Sequence, residues 1–500
     1  MNNKQKSIRN LLYAALSQVV LISISLLLPR LFVTSYGSEV NGLLNSLGNF
    51  LVCLNLFEAG VDAATLQALY RPTAESDWTS INGVLAATNK YYQKTARWYF
   101  ICLVALALVY PLMVDGALSN FTIFGCVFFS GFSNVLSFYL SGKYRLLLKA
   151  EGKNYVLSNL DMILTLLVSL TKILLIYLKV DIVLILAISF AYDSLYNLYI
   201  LLYVRKHFPL LNINSEPKFE AISQKSFALV HRIGELVFQN TDVIVITMFC
   251  GLKLVSVYGM FKLITGHLDQ ILAIIVDSIN FLLGQTYQTD LVRYQKMIDL
   301  FDSAYGGLAY ALYAVALYLF LPFMRVYTAG VTDINYVDGK LAILFVITSL
   351  MSQSRVGMSV TVNYAGHFKQ TMGRSMAETA INLIVSIAAV YAWGIYGVLL
   401  GTVVALLYRT NDFIIYANTK CMNRKPWRTY GIYLVNVLTL LLTTVVFDKL
   451  FGWVVIDSFV KLLIVAVPIT LLSVLMFAAA QILCFRHCRE ALASVIHRKK

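Results

Sequence analysis

Five hundred residues that are 59% hydrophobic and only 13% charged, with a mean hydropathy of +0.72, carry too little polar surface to cover a water-soluble globule. The net charge of +14 does not point to nucleic acid, because the basic residues sit in short segments beside apolar runs and form no groove-sized patch. The seven cysteines are scattered, and Cys484 with Cys488, one helical turn apart, lack the further ligands of a zinc site.

Apolar runs long enough to cross a hydrocarbon core of about 30 Å recur from Leu11 to Leu483. The first reads as a membrane span and not as a removable signal peptide, since no small-residue cleavage site follows it. Cutting at charge clusters, proline and glycine predicts fourteen helices, at 11–34, 40–62, 95–114, 120–142, 154–178, 182–204, 226–249, 255–284, 302–323, 338–362, 376–393, 396–417, 430–447 and 458–484. Assigning alternate loops to opposite sides puts Lys4, Lys6, Arg9, Arg71, Lys90, Lys94, Lys143, Arg145, Lys149, Lys153, Arg205 and Lys206 on one side, with Arg486, Arg489 and the terminal basic residues. The other side has only Lys179, Lys253, Arg325 and Lys449. This asymmetry predicts that both termini are cytoplasmic.

The segment Arg205 to Lys225 falls between spans six and seven, where a transporter of two similar halves needs a connection. "SYGSEVNGLLNSLGNFLVCL" in span two is echoed by "VYGMFKLITGHLDQILAII" in span eight, and "LLLKAEGKNYVLSN" by "VNYAGHFKQTMGRS". The fold expected is therefore an all-α polytopic membrane protein. A first six-helix lobe spans 1–206, a cytoplasmic linker 207–225 and a second lobe 226–418, followed by two further spans and a cytoplasmic tail in 419–500.

An intramembrane charge costs roughly 2.5–3.5 kcal/mol on insertion scales, so the charges that persist face partners or water. In span five Ser158, Asp161, Thr165, Ser169 and Lys172 fall within about 80° of one another on the helix. Span four aligns Ser130, Asn134, Ser137 and Ser141; span seven, Arg232, Glu235, Gln239 and Asp242; span eight, Tyr258, Lys262, Thr265 and Asp269. Span ten carries Arg355 among Thr348, Ser352, Ser359 and Asn363, and span two bears Asn41, Asn45, Asn49, Asn55, Glu58 and Asp62. Such stripes fit halves that face an aqueous space, although Asn, Ser and Thr also bind helices to one another. Arg30, Lys172 and Arg409 lie near helix ends, where they can snorkel, and Arg232 with Glu235 or Lys262 with Asp269 can form structural ion pairs. Nothing in the pattern is catalytic: the six histidines lack metal spacing, and there is no phosphate-binding glycine loop or nucleophile elbow. The expectation is a non-enzyme without cofactor or metal.

Arg30 closing span one, Tyr36-Gly37 opening span two, "LNLFEAGVDAA" from Leu54 to Ala64 followed by Arg71, Ala150 with Gly152, and "GIYGVLLGTVVALL" from Gly394 to Leu407 carry a further signal. Together with the span count they resemble the polysaccharide transporter family, whose Wzx-type members flip O-antigen and capsule units. That family lies within the superfamily of multidrug, oligosaccharidyl-lipid and polysaccharide exporters. Asp62 departs from the small or apolar residue of the family pattern, which leaves its role open. The resemblance implies a multi-pass flippase of the bacterial plasma membrane that moves a polyprenyl-diphosphate-linked oligosaccharide outward by alternating access around a cationic cavity. Its implied partners are that substrate, membrane lipids and other polysaccharide-assembly proteins, with the chain acting as a monomer. Arginine and lysine suit the diphosphate and Asn and Tyr the sugars, which nominates Arg30, Lys172, Arg232, Lys262, Arg355, Asn45, Asn49 and Tyr258 for the substrate. Asp193, Glu235, Asp242, Asp161, Glu58 and Asp62 are the candidates to bind a coupling ion, Asp193 foremost because no basic residue lies within two turns of it on its own helix. Alternatives are a cation-coupled multidrug exporter of the same superfamily, or a flippase for the lipid precursor of peptidoglycan.

Overall fold

In hydrocarbon every backbone N–H and C=O must be satisfied inside its own segment or a closed barrel. A computed structural model describes the backbone of residues 3–55, 61–114, 116–222 and 225–497, and within these all side chains except those of 3–21, 63, 225–237, 368, 492 and 494–497. The described residues form helices, with no strand among them. Eleven of the described helices are long and apolar enough to cross a membrane, and they fall on expected spans three to six and eight to fourteen. The protein is thus an all-α, multi-pass membrane protein. It packs as two compact units, Met1–Ser256 and Val257–Lys500.

Unit one begins with α1, Asn3–Leu54, which covers expected span one and expected span two as far as Leu54. It is interrupted at Gly37, whose φ of 85° is open to glycine and strained for other residues. Then come α2 (Val61–Ala74), α3 (Trp78–Met113), α4 (Asn120–Leu136), α5 (Gly142–Ala150), α6 (Asn154–Tyr177), α7 (Ile182–His207) and α8 (Lys225–Cys250). Between α4 and α5 the helix widens over Ser137–Ser141, where the Gly142 N–H donates to the carbonyl of Ser137, five residues back. Leu43, Leu47, Tyr99, Leu103, Cys126 and Ile185 form one core of this unit, and Leu69, Ile81, Tyr92, Leu147, Ile200 and Ile222 another. α8 is held to α1 by Ser46 and Thr247 hydroxyls 2.7 Å apart, and the residues after it by the Asn41 amide, which donates to Ser256 Oγ at 2.7 Å.

The segment after α7 is not a loose tether. Its backbone is pinned to the start of α3 by Lys218 N–H to Gly83 O (3.0 Å), Asn212 N–H to Asn82 Oδ1 (2.9 Å) and Asn82 Nδ2 to Leu210 O (3.0 Å). Phe208 and Ile222 are buried beneath it.

α9 (Leu252–Thr289) carries the chain across the unit boundary. Unit two continues with α10 (Leu291–Tyr327), α11 (Gly339–Ser354), α12 (Val356–Tyr364), α13 (Phe368–Trp393), α14 (Ile395–Tyr416), α15 (Trp427–Phe451), α16 (Phe459–Cys484) and α17 (Arg486–His497). α10 is its buried axis, packed by α11, α15 and α16. α16 instead exposes Leu463, Ile464, Val467, Leu471 and Leu475, the surface expected of a helix facing lipid. Many helices start where their sequence signals it: Asp77, Ser119, Asp181, Asp290, Asp338 and Ser458 each accept a first-turn backbone N–H.

Two helices far exceed the expected spans. α3, at 36 residues, is about 54 Å long and α10, at 37, is about 55 Å, so each outruns a hydrocarbon core of about 30 Å. Lys90, Lys94, Arg293 and Lys296 therefore ride on helices, where loops are expected from hydropathy.

Candidate functional site

The π-type turn at Ser137–Ser141 redirects α5, whose Arg145 and Lys149 lie one helical turn apart on one side. Facing them, α6 offers Asn154, Ser158 and Asp161, spaced four and three residues apart on one helical face. Asn134 and Ser137 come from the end of α4 and the turn, and Asn55 and Asp62 flank the passage from α1 to α2. Together these side chains line a cavity of about 490 Å³ inside unit one, with Phe138 as a ring wall.

Polar groups buttress this wall. Arg145 Nη2 donates to the Tyr196 hydroxyl at 2.7 Å, and Tyr196 donates to Asp161 Oδ1 at 2.5 Å. Arg145 itself stands 3.6 Å from Asp161. The Tyr92 hydroxyl donates to Asp62, and Asn134 Nδ2 donates to the Tyr99 hydroxyl at 2.9 Å. Asn55 Oδ1 is buried without a hydrogen-bond donor among the described residues. The two cations and two carboxylates of the lining balance in charge.

Of the residues nominated from sequence, Asp62 and Asp161 meet here. Asp193 lies on α7 and accepts from Ser133 Oγ at 2.8 Å, but it is not remote from basic groups as its own helix suggests: Lys172 of α6 and Arg145 of α5 act on it through space. Lys172 is half-buried on α6, Arg30 half-buried on α1, and Lys262 exposed on α9. Asn45 and Asn49 donate their amides to the carbonyls of Asn41 and Asn45, at 3.0 and 2.8 Å, within α1. Tyr258 is buried against Phe345, with ring centroids 5.0 Å apart, and Asp242 is buried on α8. Asp269 accepts from the Tyr313 hydroxyl at 2.5 Å and from Gln353 Nε2 at 2.6 Å. Glu58 and the side chains of Arg232 and Glu235 lie outside the described residues.

Arg355 belongs to a network in unit two that is largely buried except at Arg374, whose side chain is 42% exposed. At the break between α11 and α12 it pairs with Glu378 of α13. Glu378 also faces Arg409 of α14 at 3.3 Å, Arg409 holds Asp412 at 2.6 Å, and Asp412 pairs with Arg374. Three guanidiniums share two carboxylates, and the Arg409 guanidinium lies 3.8 Å from the Phe413 ring centroid.

Arg145 and Lys149 were legible in sequence only as positive loop charge. Their spacing of four, ahead of the Asn154, Ser158 and Asp161 stripe, is the signal that a paired helical hairpin would bring them together.

No protein-family model matches the chain, and no curated protein sequence matches it significantly. Solved structures do share the fold. A lipid II flippase, MurJ, in an inward closed conformation matches with a TM-score of 0.69 at 13% identity, over 94% of this chain and 98% of that one. An inward-facing multidrug resistance MATE family transporter of the MOP superfamily matches at 0.61 and 13%, over 83% and 96%. A MATE protein in a bent conformation matches at 0.51 and 13%, over 84% and 95%. The chain thus has the fold of these membrane proteins, along almost its whole length.

Proposed function

We propose that the protein is a flippase of the bacterial plasma membrane, moving a polyprenyl-diphosphate-linked oligosaccharide to the outer leaflet for surface polysaccharide assembly. The observation that carries this reading is the polar cavity of unit one, which holds two basic groups, three asparagine amides and two serine hydroxyls within a membrane-embedded helix bundle. A lipid-linked glycan needs such a polar shelter for its headgroup alone, because the polyprenyl chain can remain in hydrocarbon. A fold shared with a lipid II flippase is consistent with this cargo class. Exporting cationic drugs is served less well: both carboxylates of the cavity accept tyrosine hydroxyls, and Asp161 faces Arg145. Alternating access and cytoplasmic termini complete the proposal.

Reconstitution into proteoliposomes tests it. Polyprenyl-diphosphate oligosaccharides should become accessible on the opposite leaflet faster than in protein-free vesicles, and lipid II and ethidium serve as competing cargoes. Ethidium transport without movement of any lipid-linked glycan would refute the flippase reading in favour of an exporter.

A further inference from the structure

A diphosphate-sugar headgroup has two chemically distinct halves, and the unit-one cavity discriminates between them. A phosphate at neutral pH offers acceptor oxygens and negative charge. The lining presents acceptor oxygens of its own: the carboxylates of Asp62 and Asp161, each taking one tyrosine hydroxyl and keeping further lone pairs. Its charges cancel, two basic against two acidic, so a diphosphate entering would face two carboxylates with no cation in excess. A sugar hydroxyl both donates and accepts. It can donate to the remaining lone pairs of the carboxylates while accepting from Lys149, Arg145 or the asparagine amides. The side chains of Lys149, Asn154 and Ser158 make no hydrogen bond among the described residues, which leaves them available. Phe138, fixed by Tyr99 at a centroid distance of 5.5 Å, adds an apolar wall for the C–H face of a ring. At about 490 Å³ the cavity is in the range of small-molecule sites, about 300–1,000 Å³.

We infer that the cavity between α2, α4, α5 and α6 is a glycan subsite: it takes neutral, hydroxyl-bearing sugar rings, and the diphosphate binds outside it. Asp62 and Asp161 are then sugar ligands and not sites for a coupling ion. The inference deepens the flippase reading and relies on it only in treating the sugar as part of a lipid-linked cargo.

The experiment places Ser158→Cys in otherwise unaltered, detergent-purified protein and follows alkylation at position 158 by peptide mass spectrometry. The probes are a panel of neutral disaccharides, with and without N-acetyl groups, and inorganic pyrophosphate at matched ionic strength. At ten times its dissociation constant a bound sugar leaves roughly one site in eleven open, so alkylation should slow about tenfold. Asn134→Leu and Asp62→Asn, each checked for unchanged thermal unfolding, should abolish that protection, and pyrophosphate should give none. Protection by pyrophosphate, or by no sugar at its solubility limit, overturns the assignment. A proteoliposome arm separates the two readings. If sugars protect while no lipid-linked glycan is flipped, the flippase reading fails and the subsite stands. If glycans are flipped without sugar protection, the subsite fails and the flippase reading stands.

Discussion

Replacing Arg409 by methionine removes a guanidinium that is only 3% exposed and faces Glu378 at 3.3 Å, Asp412 at 2.6 Å and Ser375 Oγ at 2.8 Å. Deleting one partner of a buried ion pair costs about 3–5 kcal/mol, chiefly because the charge left behind is neither solvated nor paired. Here neither carboxylate is abandoned, since Glu378 keeps Arg355 and Asp412 keeps Arg374. Methionine also preserves part of the packing over Phe413. The expected loss is therefore at the lower end, about 3 kcal/mol, or more than a hundredfold in the unfolding equilibrium at about 1.4 kcal/mol per decade. Reversible unfolding in mixed micelles of increasing SDS fraction, followed by tryptophan fluorescence, measures it. Asp412→Asn should cost less in the Arg409→Met background than alone, because the two residues share one network. A loss below about 1 kcal/mol, the level of a solvent-exposed pair, would refute the view that these charges act as a desolvated unit.

Gly357→Ala should cost about 1–3 kcal/mol through overpacking, because an added Cβ would lie 1.8 Å from Oδ1 of the buried Asp302; failure of Asp302→Ala to restore stability in the double variant would refute that cause. Asp77 caps α3, and hydrogen bonding from Ser80 holds its carboxyl below the usual range. A depressed folded-state value stabilises above the unfolded value of about 3.9 and is lost as pH falls through the folded one, so protection of the Ser80 amide, relative to its intrinsic exchange rate, should fall below about pH 4 in the wild type, with no such step in Asp77→Asn. From the loop charges, a cysteine introduced at Ser215 should react with a membrane-impermeant reagent only from inside, and one at Asp333 only from outside; the reverse pattern would sink the proposed orientation. Asp193→Asn should alter the dependence of flipping on the pH gradient or membrane potential, and an identical dependence in the variant would remove Asp193 from coupling.

The helical spans were legible because apolar runs of membrane length have one structural solution, and even the break between spans one and two was marked by Tyr36-Gly37. Helix ends were less so. Hydropathy reports the thickness of the hydrocarbon, whereas α3 and α10 continue through Lys90 and Arg293 as long as backbone hydrogen bonding and packing favour it. α2 was missed for the same reason, its mixed composition resembling a charged loop. In the candidate site, Asp161 and Ser158 could be found because helical periodicity places them on one face. Their convergence with Arg145, Lys149 and Asn55 depends on how α5 turns back along α6, which spacing within a single helix does not encode. The network around Arg355 was equally hidden: its partners Glu378, Arg409 and Asp412 come from two other helices.

The widened turn at Ser137–Ser141 works as a rotary offset. Accommodating one extra residue in a helical turn rotates all that follows by about 100°, and this decides whether Arg145 and Lys149 look toward Asn134 or away from it. On the proposed reading, chain length between Ser137 and Gly142 is then a specificity variable in its own right. Removing one residue there would exchange which side chains confront a ligand while every lining residue stayed in the sequence. Chains of this fold with matching residues but a different count across that turn would then present different surfaces to their cargo.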